Sequence, residues 1–120
     1  MLVRAIRGAT TVLEDSKSAI TEATLELLKE MMSANKLEED DLISILFTAT
    51  GDLTSEFPAT AARQMGLANT PLICATEISV PGSLPRTLRV LIHAYSELSK
   101  EKIEHIYLRE AINLRRDISK

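Results

Sequence analysis

Apolar residues along this chain fall into short runs separated by polar punctuation, and one stretch repeats with a clear helical period. Between Ser18 and Ala34, the residues Ile20, Ala23, Thr24, Leu27, Leu28 and Met31 recur at helical spacing, while Glu22, Glu26, Lys29 and Glu30 fall mostly on the other side. This predicts an amphipathic helix, with N-cap oxygens available from Asp15-Ser16-Lys17-Ser18. A second, shorter helix is expected between Pro58, which suits a first turn, and Gly66, which suits a stop.

The remaining apolar runs read as strands. Leu2 to Ile6 is the first; Gly8 ends it, with a continuation through Ala9–Val12 after a bend or bulge. Leu42–Thr48, Pro71–Ala75, Thr87–Ala94 and Ile103–Leu108 follow. Leu37–Asp41 is a charged connector with room for a helical turn, Pro81-Gly82-Ser83-Leu84-Pro85 a structured loop, and Ala111–Leu114 either a strand or a helical turn. The sum is a single α+β domain over residues 1–120. It has a mixed β-sheet of about five strands with one long and one or two short helices on one face. The other face stays open, carrying Val3, Ala5, Leu88 and Val90 or their neighbours, and in so small a domain it is expected to meet another subunit.

Composition narrows the function. The net charge is −3 and aromatic content only 3%, which argues against non-specific nucleic-acid binding and against a base-stacking platform. No apolar run approaches a membrane span, and Arg4 and Arg7 interrupt the first apolar stretch, so neither a membrane anchor nor a leader is expected. The lone Cys74 excludes an internal disulfide and fits an intracellular, cytoplasmic setting. No His-x-x-x-His, calcium loop or glycine-rich phosphate loop occurs, so no metal and no cofactor are expected. Basic residues divide by position: no lysine lies between Leu37 and Ser99, whereas Arg63, Arg86 and Arg89 do. Arginine, which grips carboxylates bidentately, dominates the middle of the chain.

Arg89 is the most informative of these, a fixed cation inside an apolar run. It is either a structural ion pair or a binder of an anion. Arg7, before Gly8, is either a strand-end charge or a ligand contact that the glycine lets approach. Strict alternation puts Cys74 and Glu77 on opposite faces unless a bulge or turn intervenes near Ala75 or Thr76. Cys74 alone more often is an inert buried thiol. Together these residues suit a compact anionic, hydroxylated small molecule, without naming a reaction.

The same residues carry a resemblance. Arg4-Ala5-Ile6-Arg7-Gly8-Ala9-Thr10-Thr11-Val12, Thr50-Gly51-Asp52-Leu53 with Phe57-Pro58-Ala59, Cys74-Ala75-Thr76-Glu77, Leu88-Arg89-Val90 and His105-Ile106-Tyr107-Leu108-Arg109-Glu110-Ala111 run in order over nearly the whole chain. In this order they resemble the monofunctional, trimeric α+β class of chorismate mutases, distinct from the all-helical class. The resemblance implies rearrangement of the dianion chorismate to prephenate, with no covalent intermediate, metal or cofactor. It implies a homotrimer with a barrel-like strand core and active sites at subunit interfaces. Arg89 matches the arginine at the ether oxygen of the breaking bond, and Arg7 a carboxylate-binding arginine. Glu77 and Cys74 match groups around the ring hydroxyl, and Tyr107 a phenol donor to a carboxylate. Phe57 and Arg63 match pocket residues contributed across the interface. Ala59, Thr60, Ile73 and Leu114 match further substrate-lining positions, and Arg115 a tail arginine that helps close the site within a mobile 115–120 tail. Two departures stand out: Thr60 occupies a position where some members carry lysine, and Arg116 one where proline is common. The rival readings are a trimeric enamine/imine deaminase of similar architecture and a non-catalytic metabolite binder. The order of motifs disfavours the first, the filled positions the second.

Overall fold

A computed structural model describes residues 1–114; Arg115, Arg116 and the expected mobile tail lie outside the described residues. The elements are β1 (Leu2–Thr11), α1 (Lys17–Ala34), β2 (Leu42–Ala49), α2 (Ala59–Gln64), β3 (Leu72–Thr76), β4 (Thr87–Ser96) and β5 (Ile106–Tyr107). They form one sheet in the order β3-β2-β4-β1-β5. β4 pairs antiparallel with both β1 and β2, while β3 joins β2 and β5 joins β1 in parallel, so the sheet is mixed. The parallel β2–β3 pair needs a crossover, and α2 supplies it.

α1 forms where the period predicted it. Ser16 caps it by accepting the Ala19 N–H at 3.2 Å, and Ile20, Ala23, Leu27, Leu28 and Met31 turn inward with none of their surface exposed. Leu27, Leu28 and Met31 pack on Ile6, Ile45, Phe47, Val90 and Ile92 from the sheet, with α2 contributing Ala59 and Ala62, while Ile20 and Ala23 pack with Val12 and Leu88. Burying these side chains is the main stabilising term, at about 25 cal/mol per Å² of apolar surface. Both helices lie on this side. Among the described residues no helix is long and apolar enough to cross a membrane.

Alternation assigns the opposite, open side to Val3, Ala5, Arg7, Arg89, Leu91, His93 and Tyr95. Leu88 and Val90 instead face the core, so the uncovered surface is carried by their neighbours. Thus Arg89 does not enter an apolar interior: the run that holds it is buried on one side only.

Two local expectations change. β1 does not break at Gly8; its register against β4 is continuous from Leu2 to Thr11. The glycine is there for close packing: a Cβ at residue 8 would lie 2.3 Å from the Met31 sulfur and 3.1 Å from a Leu27 methyl. Gly8→Ala is therefore expected to destabilise the fold by about 1–3 kcal/mol through overpacking, read as a lower urea midpoint with unchanged slope. Second, the last strand is short. The Glu104 N–H donates to Asn35 Oδ1 at 2.8 Å and its C=O accepts from Asn35 Nδ2 at 2.9 Å, so neither group joins a ladder. Two other expectations take their helical form: Ala111–Leu114 belongs to a 3-10 segment, Arg109–Leu114, and the charged connector holds a 3-10 turn at Glu39–Asp41.

Candidate active site

The strand register builds the site in rows across the open side. Tyr107 on β5 pairs with Ala9, Ala9 with Arg89, Arg89 with Thr48, and Thr48 with Ala75. One row along, Arg7 pairs with Leu91, Leu91 with Leu46, and Leu46 with Ile73. Paired residues project to the same face, so Arg7, Arg89 and Tyr107 are brought together from three strands. Arg7, Thr48, Glu77 and Arg89 line one groove of about 240 Å³.

Glu77, two residues after Ala75, reaches this groove by continuing the alternation just past the end of β3 at Thr76. Its backbone N–H donates to the Ala49 carbonyl at 2.9 Å, which holds the chain as it leaves the strand. The Glu77 carboxylate makes an ion pair with Arg89 Nε. That contact lacks hydrogen-bond alignment, since buried Arg89 Nε has no hydrogen-bond partner. The pair is partly solvated, with 37% of the Arg89 side chain and 25% of the Glu77 side chain exposed, so its value lies in orientation more than stability. Cys74, by contrast, stays within β3 and packs against the core, opposite Phe47. The two residues do not share a face: alternation holds through the strand and carries Glu77 to the side opposite Cys74.

A second groove, of about 430 Å³, is lined by Phe57, Cys74, Thr76 and Leu53 among others. The loop before α2 that carries Phe57 is buckled to the start of α1. The Asp15 carboxylate accepts the Thr54 N–H at 2.9 Å, the Thr54 hydroxyl at 2.8 Å and the Ser55 N–H at 3.0 Å. These bonds, the Thr54 hydroxyl first, hold the Asp15 carboxyl below its usual range. Asp52 does the same at the start of β4. It accepts the hydroxyl of Thr50 and, at 3.0 Å, the N–H of Arg86, whose φ of 44° is left-handed. The Thr50 hydroxyl is the main cause of its lowered pKa. This buckle fixes the strand entry three residues before Arg89.

The other expected site residues are dispersed. Phe57 is 65% exposed. Arg63 stands exposed on the last turn of α2, and Thr60 is half-buried with its N–H on the Phe57 carbonyl. Ala59 is buried in the core and lines neither groove. Ile73 is 64% exposed on the edge strand, and Leu114 is half-buried at the end of the described chain. The Tyr107 hydroxyl is buried without a hydrogen-bond partner, as is that of Thr48. Sequence reasoning missed Thr48. Its signal was a hydroxyl at the end of the Leu42–Phe47 run, facing the groove from directly opposite Arg89. Among the described residues no three His, Cys, Asp or Glu side chains gather as metal ligands.

One chain therefore presents two grooves with no lining residue in common. One is cationic, with two arginines against one glutamate; the other sets Phe57, Leu53, Cys74 and Thr76 beside one cation and one anion, Lys17 and Glu56. The first can bind a dicarboxylate and meet a developing negative charge with a fixed guanidinium; the second can enclose a ring.

Known proteins match along the whole length. The family described as chorismate mutase type I matches residues 3–118. The chorismate mutase AroH of Thermus thermophilus is 50% identical over 118 residues, spanning 98% of this chain and 97% of that protein. The chorismate mutase AroH of Bacillus subtilis (strain 168) is 36% identical over 120 residues, spanning 99% and 94% respectively. The solved structure of a chorismate mutase from Clostridium thermocellum superposes with a TM-score of 0.91 at 51% identity, covering 92% of this chain and 98% of that one.

Proposed function

The chain belongs to the type I chorismate mutase family, and from that premise we propose that it rearranges chorismate to prephenate in aromatic amino-acid biosynthesis. Family membership replaces the deaminase reading. The observation that carries the mechanism is Arg89, held by Glu77 on the open side of β4 beside Arg7 and Thr48.

The reaction moves electrons within one molecule. As the C–O bond lengthens, negative charge builds on the ether oxygen, and Arg89 supplies a guanidinium already oriented toward it. An interaction that strengthens along the reaction lowers the barrier rather than only tightening binding. Arg7 takes a substrate carboxylate, and Tyr107, one row away, offers its unpartnered hydroxyl to a carboxylate as well. Glu77 serves twice: it orients Arg89 and accepts from the ring hydroxyl. Cys74 is a polar contact and not a nucleophile. Holding the substrate in its compact conformer supplies the rest, by removing the entropy of reaching it. No general acid or base enters.

The site is completed between chains. Phe57, Cys74, Arg63 and their neighbours from one subunit close over Arg7, Arg89 and Tyr107 of the next, in a homotrimer assembled through the open sheet face. Two features support this reading: the half-sites are separate within a chain, and Val3, Ile73, Ile78 and Val80 leave 56%, 64%, 84% and 57% of their surface uncovered. A cytoplasmic setting accords with the single unpaired Cys74.

The test is a chorismate-loss assay with the product identified by NMR. Expected is one-to-one conversion to prephenate with no co-reactant. Assembled protein that binds chorismate without consuming it supports the binding-only alternative instead.

A further inference from the structure

We infer that His105 is a positioning residue for the cationic half-site: its neutral imidazole accepts the Arg7 backbone N–H at Nδ1 and thereby fixes Arg7 relative to Tyr107. The bond is 3.0 Å long and joins residues 98 apart. The inference rests on the role given above to Arg7.

The ladder explains why the imidazole is needed. β5 pairs with β1 only at Gly8–Ile106 and Ala9–Tyr107, with one further bond from the Leu108 N–H to the Ala9 carbonyl. The Arg7 N–H lies one residue before this pairing begins, and His105 extends the ladder to it with a side chain. The ring hangs from a fixed point. Its neighbour Glu104 is held by both ends of the Asn35 side-chain amide, and Asn35 is itself buried and bonded to the Met31 carbonyl at 2.8 Å. So the end of α1 is tied through Glu104 and His105 to the backbone of Arg7.

Nδ1 can accept only when it carries no proton, which requires the Nε2–H tautomer of neutral imidazole. The surroundings favour that form. The groove His105 lines holds Arg4 from β1, His93 from β4 and Lys100 from the turn before β5, with no carboxylate in its lining. Glu104 precedes His105 in the chain and is exposed. His105 is exposed over much of its surface, and the partial desolvation of its ring, then the charge of Arg7, hold the imidazole below its ordinary value of 6.5. The folded chain then binds fewer protons than the unfolded chain near and below that value, so the bond is intact at neutral pH and lost as pH falls.

Two variants and one spectrum test this. His105→Asn places an acceptor near the Nδ1 position that does not titrate; His105→Phe keeps the ring and removes the acceptor. Wild-type kcat/KM is expected to fall about tenfold between about pH 7.5 and pH 5. His105→Asn should be flat over that range and within about threefold of wild type at the upper end. His105→Phe should be flat and about tenfold lower, mainly through KM, because Arg7 grips a carboxylate in ground and transition states alike. An acid limb that persists in His105→Asn overturns the inference, as does a His105→Phe enzyme equal to wild type near neutrality. Independently of activity, a scalar coupling between the Arg7 amide nitrogen and His105 Nδ1 is expected at neutral pH and should vanish in acid. Its absence at neutral pH overturns the inference even in a fully active enzyme, and its presence supports it even if chorismate is not the substrate.

Discussion

Arg89→Ala is expected to lower kcat for chorismate by about 10³-fold, equivalent to about 4 kcal/mol of barrier, while KM rises less than about tenfold. The split follows from geometry. Arg89 sits third in the ten-residue β4, on a backbone pinned at Arg86–Thr87 by Asp52 and Thr50, and its guanidinium is steered by Glu77. A donor held this way costs no reorganisation when charge appears on the ether oxygen, so its loss falls on the transition state. Part of the KM effect comes from Glu77, whose carboxylate is left facing a dianion once its partner is gone. Arg89→Lys separates the two contributions: it restores the charge but not the planar fork, and kcat should remain about 10²-fold down while KM recovers. A kcat for Arg89→Ala within about threefold of wild type contradicts the mechanism.

Much of this arrangement was legible in the residues, and the remainder shows where local pattern runs out. The period from Ile20 to Met31 predicted α1 because packing on one face is encoded locally. Arg89 stood out because a guanidinium inside an apolar run violates the pattern around it. Its environment was misread, since a strand buried on one side and open on the other looks much like a strand buried on both when Leu88, Val90, Leu91 and Ile92 crowd together. Gly8 looked like a turn, yet it admits Met31 from α1, a contact that depends on how the helix lies across the sheet. Alternation correctly separated Cys74 from Glu77 and carries Glu77 to the side of Arg89, whereas the ion pair the two make leaves no mark in the spacing. Residues 103–108 had strand composition, but Asn35 claims the backbone of Glu104, a competitor 69 residues away. Contacts of such separation leave no periodic trace.

Subunit mixing should restore activity from two dead parents, the second large effect. Arg89→Ala disables the cationic half-site. Phe57→Glu disables the other: the side chain is 65% exposed, so the fold tolerates the change, but a carboxylate there opposes a dianionic ligand. Each variant alone should lose at least about 10²-fold in kcat/KM, or about 2.7 kcal/mol. If each site takes one half from each of two neighbouring chains, random assembly of equal amounts leaves one site in four with both halves intact. Co-expressed, differently tagged variants purified through both tags therefore measure the central claim directly, that this mutase builds its active site between chains. The prediction is recovery to about a quarter of wild-type activity per chain in the random mixture and about a third in the doubly purified trimers; mixed oligomers no more active than their parents would contradict it.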